Sequence, residues 1–271
     1  MSPRVAVTGI GILSPFGLGR AAAVEALREG RSGIRSIALI DTAALNCRAG
    51  GADAPLTFGI IRAWEGMRVL APDGVCRPFS ADRQGLVIAE GAAVFVLESF
   101  EHAQRRGAEI LGEIAGFGIT SDAGHITDPS ADGAARAMAQ ALEGVDKADV
   151  GYINAHGTGT RANDPTETAA IKMVFGDAAY QIPVSSTKSS HGHAMGASGA
   201  IETACALLAL NGDVNGGFLP PTINFTTPDP QCDLDYVPNA AREARVGLFL
   251  SNSFGFGGMN GVLAVRTVHG L

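Results

Sequence analysis

The sequence predicts an α/β fold of layered strands and helices, and three observations carry that prediction. Short apolar runs with β-branched residues alternate along the chain with Ala-rich runs of helical length. Glycine, present 36 times, tends to close one kind of run before the next begins. Finally, 271 residues with 46% hydrophobic and 17% charged side chains hold enough apolar surface for an ample core.

Taken in order, Arg4-Val5-Ala6-Val7-Thr8 is a short strand ending in glycines, and Gly19 to Arg28 is a helix closed by Gly30. Phe58 to Val69 is a second helix, and Ala92 to Glu98 a buried strand of continuous apolar character. Phe100 to Arg106 forms a short helix stopped by Gly107, Ile110 to Ile119 a strand, and Asp132 to Leu142 a helix. Then Val150 to Ile153 (strand), Pro165 to Phe175 (helix), Pro183 to Ser185 (strand) and Gly199 to Leu210 (helix) follow. Val246 to Ser251 and Gly261 to Arg266 close the chain as two strands.

A net charge of −7 argues against nucleic acid or an anionic membrane as partner. No run of 18 apolar residues occurs, and the chain starts directly on a strand, so neither a membrane span nor a signal peptide is expected. Four scattered cysteines show neither metal-ligand spacing nor a disulfide framework, which fits a reducing cytoplasm. Gly9-x-Gly11 after a strand suggests a dinucleotide site only weakly. The third glycine is missing at the required spacing, as is an acidic residue ending a second strand. No metal or cofactor is expected.

The chemistry concentrates in two glycine-framed histidines. One lies in Asn154-Ala155-His156-Gly157-Thr158-Gly159-Thr160, the other in Lys188-Ser189-Ser190-His191-Gly192-His193-Ala194-Met195-Gly196. Each follows a strand-like run, Gly151-Tyr152-Ile153 or Ile182-Pro183-Val184-Ser185, so each imidazole sits at a strand end among small residues. A lone histidine is more often a satisfied structural residue. Two in the same setting can donate two hydrogen bonds to one carbonyl oxygen and stabilise the charge that builds there.

These motifs, together with Asn252-Ser253-Phe254-Gly255-Phe256-Gly257-Gly258-Met259-Asn260, resemble the signature series of the β-ketoacyl-acyl-carrier-protein synthases. Val7-Thr8-Gly9-Ile10-Gly11, Arg77-Pro78-Phe79-Ser80-Ala81-Asp82-Arg83 and Pro220-Pro221-Thr222-Ile223-Asn224 resemble the same family, in family order. The resemblance implies a thiolase-like layered αβαβα fold of two similar halves. Here residues 1–109 would form an incomplete N-terminal half and residues 110–271 a complete C-terminal one. It also implies decarboxylative Claisen condensation of acyl and malonyl thioesters on an acyl carrier protein, in fatty-acid or polyketide synthesis. In that chemistry His156 and His193 hold the malonyl thioester carbonyl, and Lys188 and Glu167 form a supporting buried charged pair. A lysine there could alternatively be a base, but an unpaired buried charge is costly, which favours the pair. Phe254, Gly255, Phe256 and Gly257 would form a gate and oxyanion loop, the glycines freeing the backbone so that a ring can swing. Asp82, Arg83, Gly85 and Glu90 match a stretch with a structural role, and His191 is a secondary candidate.

What the resemblance lacks is the nucleophile. The family's elbow cysteine, which takes up the acyl group as a thioester, is absent where it should be. Residues 32–50 resemble the family's early region and 51–59 a region well after the elbow, fused at Gly50-Gly51, so that about a third of a family chain is missing. Cys47, Cys76 and Cys232 read as loop residues. Thr203-Ala204-Cys205-Ala206 mimics the elbow but lies inside the apolar helical run Ala200 to Leu210, where a cysteine behaves as a small buried hydrophobe. No nucleophile is assigned. Condensing activity is therefore expected to be impaired, the alternative being a non-catalytic partner subunit or a defective deletion product. The expected partners are acyl carrier protein, met by a local basic patch such as Arg62 with Arg68 or Arg105 with Arg106, and a second synthase chain in a homodimer or a mixed pair.

Overall fold

The structure, a computed structural model, describes residues 4–32, 50–212 and 217–271; Cys47 and most of the segment before the Gly50-Gly51 junction lie outside the described residues. The first elements are β1 (Val5–Ser14), β2 (Gly17–Leu18), α1 (Arg20–Arg28), β3 (Gly50–Asp53), α2 (Phe58–Gly66), β4 (Gly91–Ser99) and α3 (Phe100–Arg105). They are followed by β5 (Gly112–Ser121), α4 (Ala131–Ala141), β6 (Val150–Asn154), α5 (Asn163–Phe175), β7 (Val184–Ser185), the short turn α6 (Lys188–His191) and α7 (Ser198–Asn211). The two-residue strands β8 (Phe218–Leu219) and β9 (Arg242–Glu243) pair with each other, and the hairpin β10 (Leu248–Gly255) and β11 (Met259–Thr267) ends the chain.

Nine strands form one mixed sheet in the order β3-β4-β1-β5-β11-β10-β6-β7, with β2 folded back on β1. The α/β layering expected from the alternation is present, with helices on both faces. On one face α7 and α1 pack over Val7, Ile12, Ala93, Tyr152, Phe249 and Val265. On the other, α4 and α5 pack over Ile153, Val184, Leu248, Leu250, Val262 and Ala264. Strict alternation of side chains along each strand sends neighbouring residues into these two separate cores.

Two strands run longer than the sequence suggests. β1 continues to Ser14 through its glycines, because a bulge between Val7 and Gly9 turns the ladder against β4, and a side chain at Gly9 would meet Val96 at 3.1 Å. β10 runs on to Gly255, so the Asn252–Gly255 motif is strand and only Phe256-Gly257-Gly258 forms the hairpin turn. In the other direction, α2 stops at Gly66, short of Val69, since Arg68 takes a left-handed φ of 57°.

β6, β7 and β10 are mutually parallel, and their carboxyl ends lie together. That edge is where open α/β sheets bind ligands. Alongside it, α4 approaches β5 so closely that a Cβ at Gly118 would stand 1.9 Å from the carbonyl oxygen of Ala137. Gly118→Ala should therefore force α4 off the sheet and cost about 1–3 kcal/mol, read as a lowered thermal midpoint. An unchanged midpoint would show that the helix contact is looser than described.

Candidate active site

His156 and His193 meet at this edge. His156 follows β6 by two residues, and His193 follows α6 after Gly192, whose φ of 77° turns the chain sharply between Val87 and Ala89. The two rings stand edge to face with centroids 5.4 Å apart, and the Phe254 ring lies 5.9 Å from His156. All three border a cavity of about 710 Å³ whose other walls include Leu86, Ile119, Ile126, Thr158, Thr160 and Met195.

The hydrogen bonds fix which nitrogen carries each proton. His193 Nδ1 accepts from the Met195 amide at 3.2 Å and lies 2.9 Å from Ser198 Oγ. An amide can only donate, so Nδ1 is bare and the proton sits on Nε2. His156 Nδ1 lies 3.4 Å from the Lys188 ammonium, again a pure donor, which leaves Nε2–H as that ring's donor. Burial first, then the Lys188 charge, then the neighbouring imidazole hold both rings well below the ordinary histidine range. Both rings are therefore neutral at pH 7, each with one N–H to give.

Lys188 is fully buried, donates to the His156 carbonyl at 2.6 Å and to the His156 ring, and forms an ion pair with the Glu202 carboxylate at 2.6 Å. The Lys188–Glu167 pairing expected from the sequence is thus replaced by Lys188–Glu202. Glu167 instead accepts the backbone amides of His156 and Gly157, each at 2.8 Å, and the Asn252 side-chain amide at 3.0 Å. Burial raises the Glu167 carboxyl, and these donors work against the rise. Geometry explains the exchange: Glu167 on α5 reaches under the His156 loop, whereas Glu202 on α7 comes up beside Lys188. Burial likewise pushes Glu202 up while Lys188 pulls it down. A signal for Glu202 was present, because a lone carboxylate inside the apolar run Ala200 to Leu210 must find a cation.

Phe254 reaches the cavity from strand β10, while Phe256 stacks on Trp64 of α2 at 4.9 Å over the cavity, with Gly255 beside them in the wall. Gly257 sits in the hairpin turn with a φ of 77° and donates its amide to the Ile126 carbonyl, so that amide is engaged. His191 is buried with both nitrogens occupied, by the Gly192 carbonyl at 2.7 Å and Thr187 Oγ1 at 3.0 Å, and burial lowers its ring to about 3. Cys76, Cys205 and Cys232 are buried, and burial pushes each thiol up to about 12. None of these three lines the cavity. Among the described residues no cluster of three His, Cys, Asp or Glu side chains could hold a metal ion.

Lys188→Met strands the Glu202 carboxylate and should cost about 3–5 kcal/mol, while adding Glu202→Leu should recover much of that loss. Strictly additive losses in a double-mutant cycle would mean that the two side chains do not interact.

The profile of the β-ketoacyl synthase N-terminal domain matches residues 38–103 and that of the C-terminal domain residues 111–226, together more than half of the chain. Nodulation protein E of Rhizobium leguminosarum bv. trifolii is 51% identical over 250 residues, covering 92% of this chain and 58% of the relative. The 3-oxoacyl-acyl-carrier-protein synthase 2 of Coxiella burnetii is 47% identical over 229 residues, covering 81% and 54%. The chain thus spans little more than half the length of the curated relatives it matches. The AntDE:AntF complex, a type II polyketide acyl carrier protein with its ketosynthase, matches with a TM-score of 0.88 at 26% identity, over 99% of this chain and 100% of the other. On profiles, relatives and fold alike, the chain belongs to the β-ketoacyl synthase family.

Proposed function

We propose that this site decarboxylates malonyl thioesters and that the chain, on its own, does not carry the reaction through to condensation. The observation that supports the reading best is the pair of neutral Nε2–H donors on one cavity wall. A malonyl thioester with its carbonyl oxygen between the rings accepts from both. As the bond to the carboxylate breaks, its electron pair moves into the α-carbon and the thioester carbonyl, carbon dioxide departs, and the charge ends on the enolate oxygen. Neutral donors already in place stabilise that charge without giving up a proton. The apolar Phe254 ring favours the step further, because it offers the malonyl carboxylate poor solvation and the uncharged product none to lose. The fate of the enolate decides the product. Condensation needs an acyl thioester on a nearby thiolate, and the three described cysteines are buried thiols away from the cavity.

Acyl carrier protein as thioester carrier is supported by the naming of the Coxiella relative and by the carrier bound in the AntDE:AntF complex. Arg68 and Arg161 flank cavity-wall residues Val69, Thr160 and Ala162 and are both exposed, which suits an acidic carrier.

A second reading, a subunit that pairs with a complete synthase, is favoured by one feature. Phe117, Ile119 and Met259 lie on one face of the β5–β11 ladder and are 66%, 72% and 68% exposed, an unusual apolar patch for a lone chain. Co-elution with an intact synthase supports that reading, and a monomer indifferent to it counts against it.

Incubated with a malonyl thioester, the protein should release carbon dioxide, and His156→Ala or His193→Ala should each lower kcat by about 10²–10³-fold. Adding an acyl thioester should yield no β-ketoacyl product. Release at the rate of buffer alone, or alanine variants as fast as the parent, would overturn the proposal.

A further inference from the structure

Arg83 makes no contact with the cavity, yet it is buried and joins three separate segments. Its Nε donates to the Thr160 carbonyl at 3.1 Å. One terminal nitrogen donates to the Ser80 carbonyl at 3.0 Å and to Asp229. Asp164, fully buried 3.9 Å away, accepts the amides of Phe79 at 2.7 Å and Gly159 at 3.2 Å. The guanidinium therefore ties the 157–160 turn to the 77–83 loop and the 226–229 loop. The same stretch then continues to the second histidine. Gly85 donates to the Gly159 carbonyl at 3.0 Å, Val87 accepts the His193 amide at 2.7 Å, and Ala89 donates to the His193 carbonyl at 2.9 Å.

We propose that Arg83 is a positioning residue for the two-histidine site, acting through the Thr160 carbonyl to set where the His156 ring points relative to His193. The inference rests on the reading of His156 as a donor to the thioester carbonyl. A strand-end turn with two glycines in left-handed conformation, Gly157 and Gly159, has little rigidity of its own. Glu167, Lys188 and Ser186 hold its first residues, and Arg83 holds its far end at Thr160 from outside the cavity, through a planar fork that addresses two carbonyls and a carboxylate at once. A lysine keeps the charge opposite Asp229 and Asp164 but lacks the fork, so the Thr160 carbonyl loses its donor.

The test is Arg83→Lys, compared with the parent by the histidine-ring carbon–proton resonances and by malonyl-thioester decarboxylation. His156 should shift and broaden while His191, hydrogen-bonded to Thr187 and Gly192, stays in place. Decarboxylation kcat should fall about tenfold with KM changed far less, since a misplaced group weakens the reacting geometry more than binding. A lower thermal midpoint with the His156 resonance and kcat unmoved would make Arg83 a structural anchor and overturn the proposal. If Arg83→Lys does not fold, Asp229→Asn leaves the guanidinium in place with a weaker hold and should give the same changes in smaller measure; no change in that folded variant likewise overturns it. A parent protein that releases no carbon dioxide contradicts the proposed function, and the His156 resonance alone then decides the role of Arg83.

Discussion

A single buried ammonium organises the site. Lys188 has no contact with water and three acceptors around it: the His156 carbonyl, the His156 ring and Glu202. Burying such a charge is expensive unless it is paired, and here a carboxylate 2.6 Å away balances it while the His156 carbonyl and ring accept hydrogen bonds from it. The arrangement fixes the backbone of the histidine it contacts and dictates that ring's tautomer, and its positive field adds to burial in keeping both imidazoles uncharged. The Glu202 carboxylate on α7 makes the ammonium tolerable, so the central helix of one core is coupled directly to the reacting edge.

The rest of the fold brings these groups together from distant stretches of chain. β6, β7 and β10 deliver His156, the Lys188 turn and Phe254 to a common edge because they run parallel. Glu167, beneath the His156 loop, takes up two amides that would otherwise be buried without partners. From the far side, residues 83–89 bind the backbone next to both histidines. The site is thus clamped on three sides, and its open side is the cavity.

Much of this was legible in the sequence because local patterns carried it. The strand–helix alternation, the positions of most elements and the convergence of His156 with His193 all follow from periodicity, glycine placement and motif. What escaped was non-local. That Phe254 belongs to a strand depends on pairing with Asn260 across the β10–β11 hairpin. That β1 passes through its glycines depends on β4 lying alongside. The exchange of Glu167 for Glu202 as partner of Lys188 is of the same kind: both carboxylates are near the site, and only the docking of α5 and α7 decides which reaches the ammonium. The bonds of Arg83 to Thr160 and Asp229 likewise span segments with no sequence relation.

Both imidazoles are neutral and carry their proton on Nε2. Nitrogen-15 NMR of the histidine-labelled protein reads this directly, because the two ring nitrogens differ in shift according to which is protonated. Nε2–H tautomers are expected for His156 and His193 at neutral pH, persisting as the pH falls through the ordinary histidine range. A proton on Nδ1 of either ring, or conversion to imidazolium near the usual histidine pKa, would contradict it.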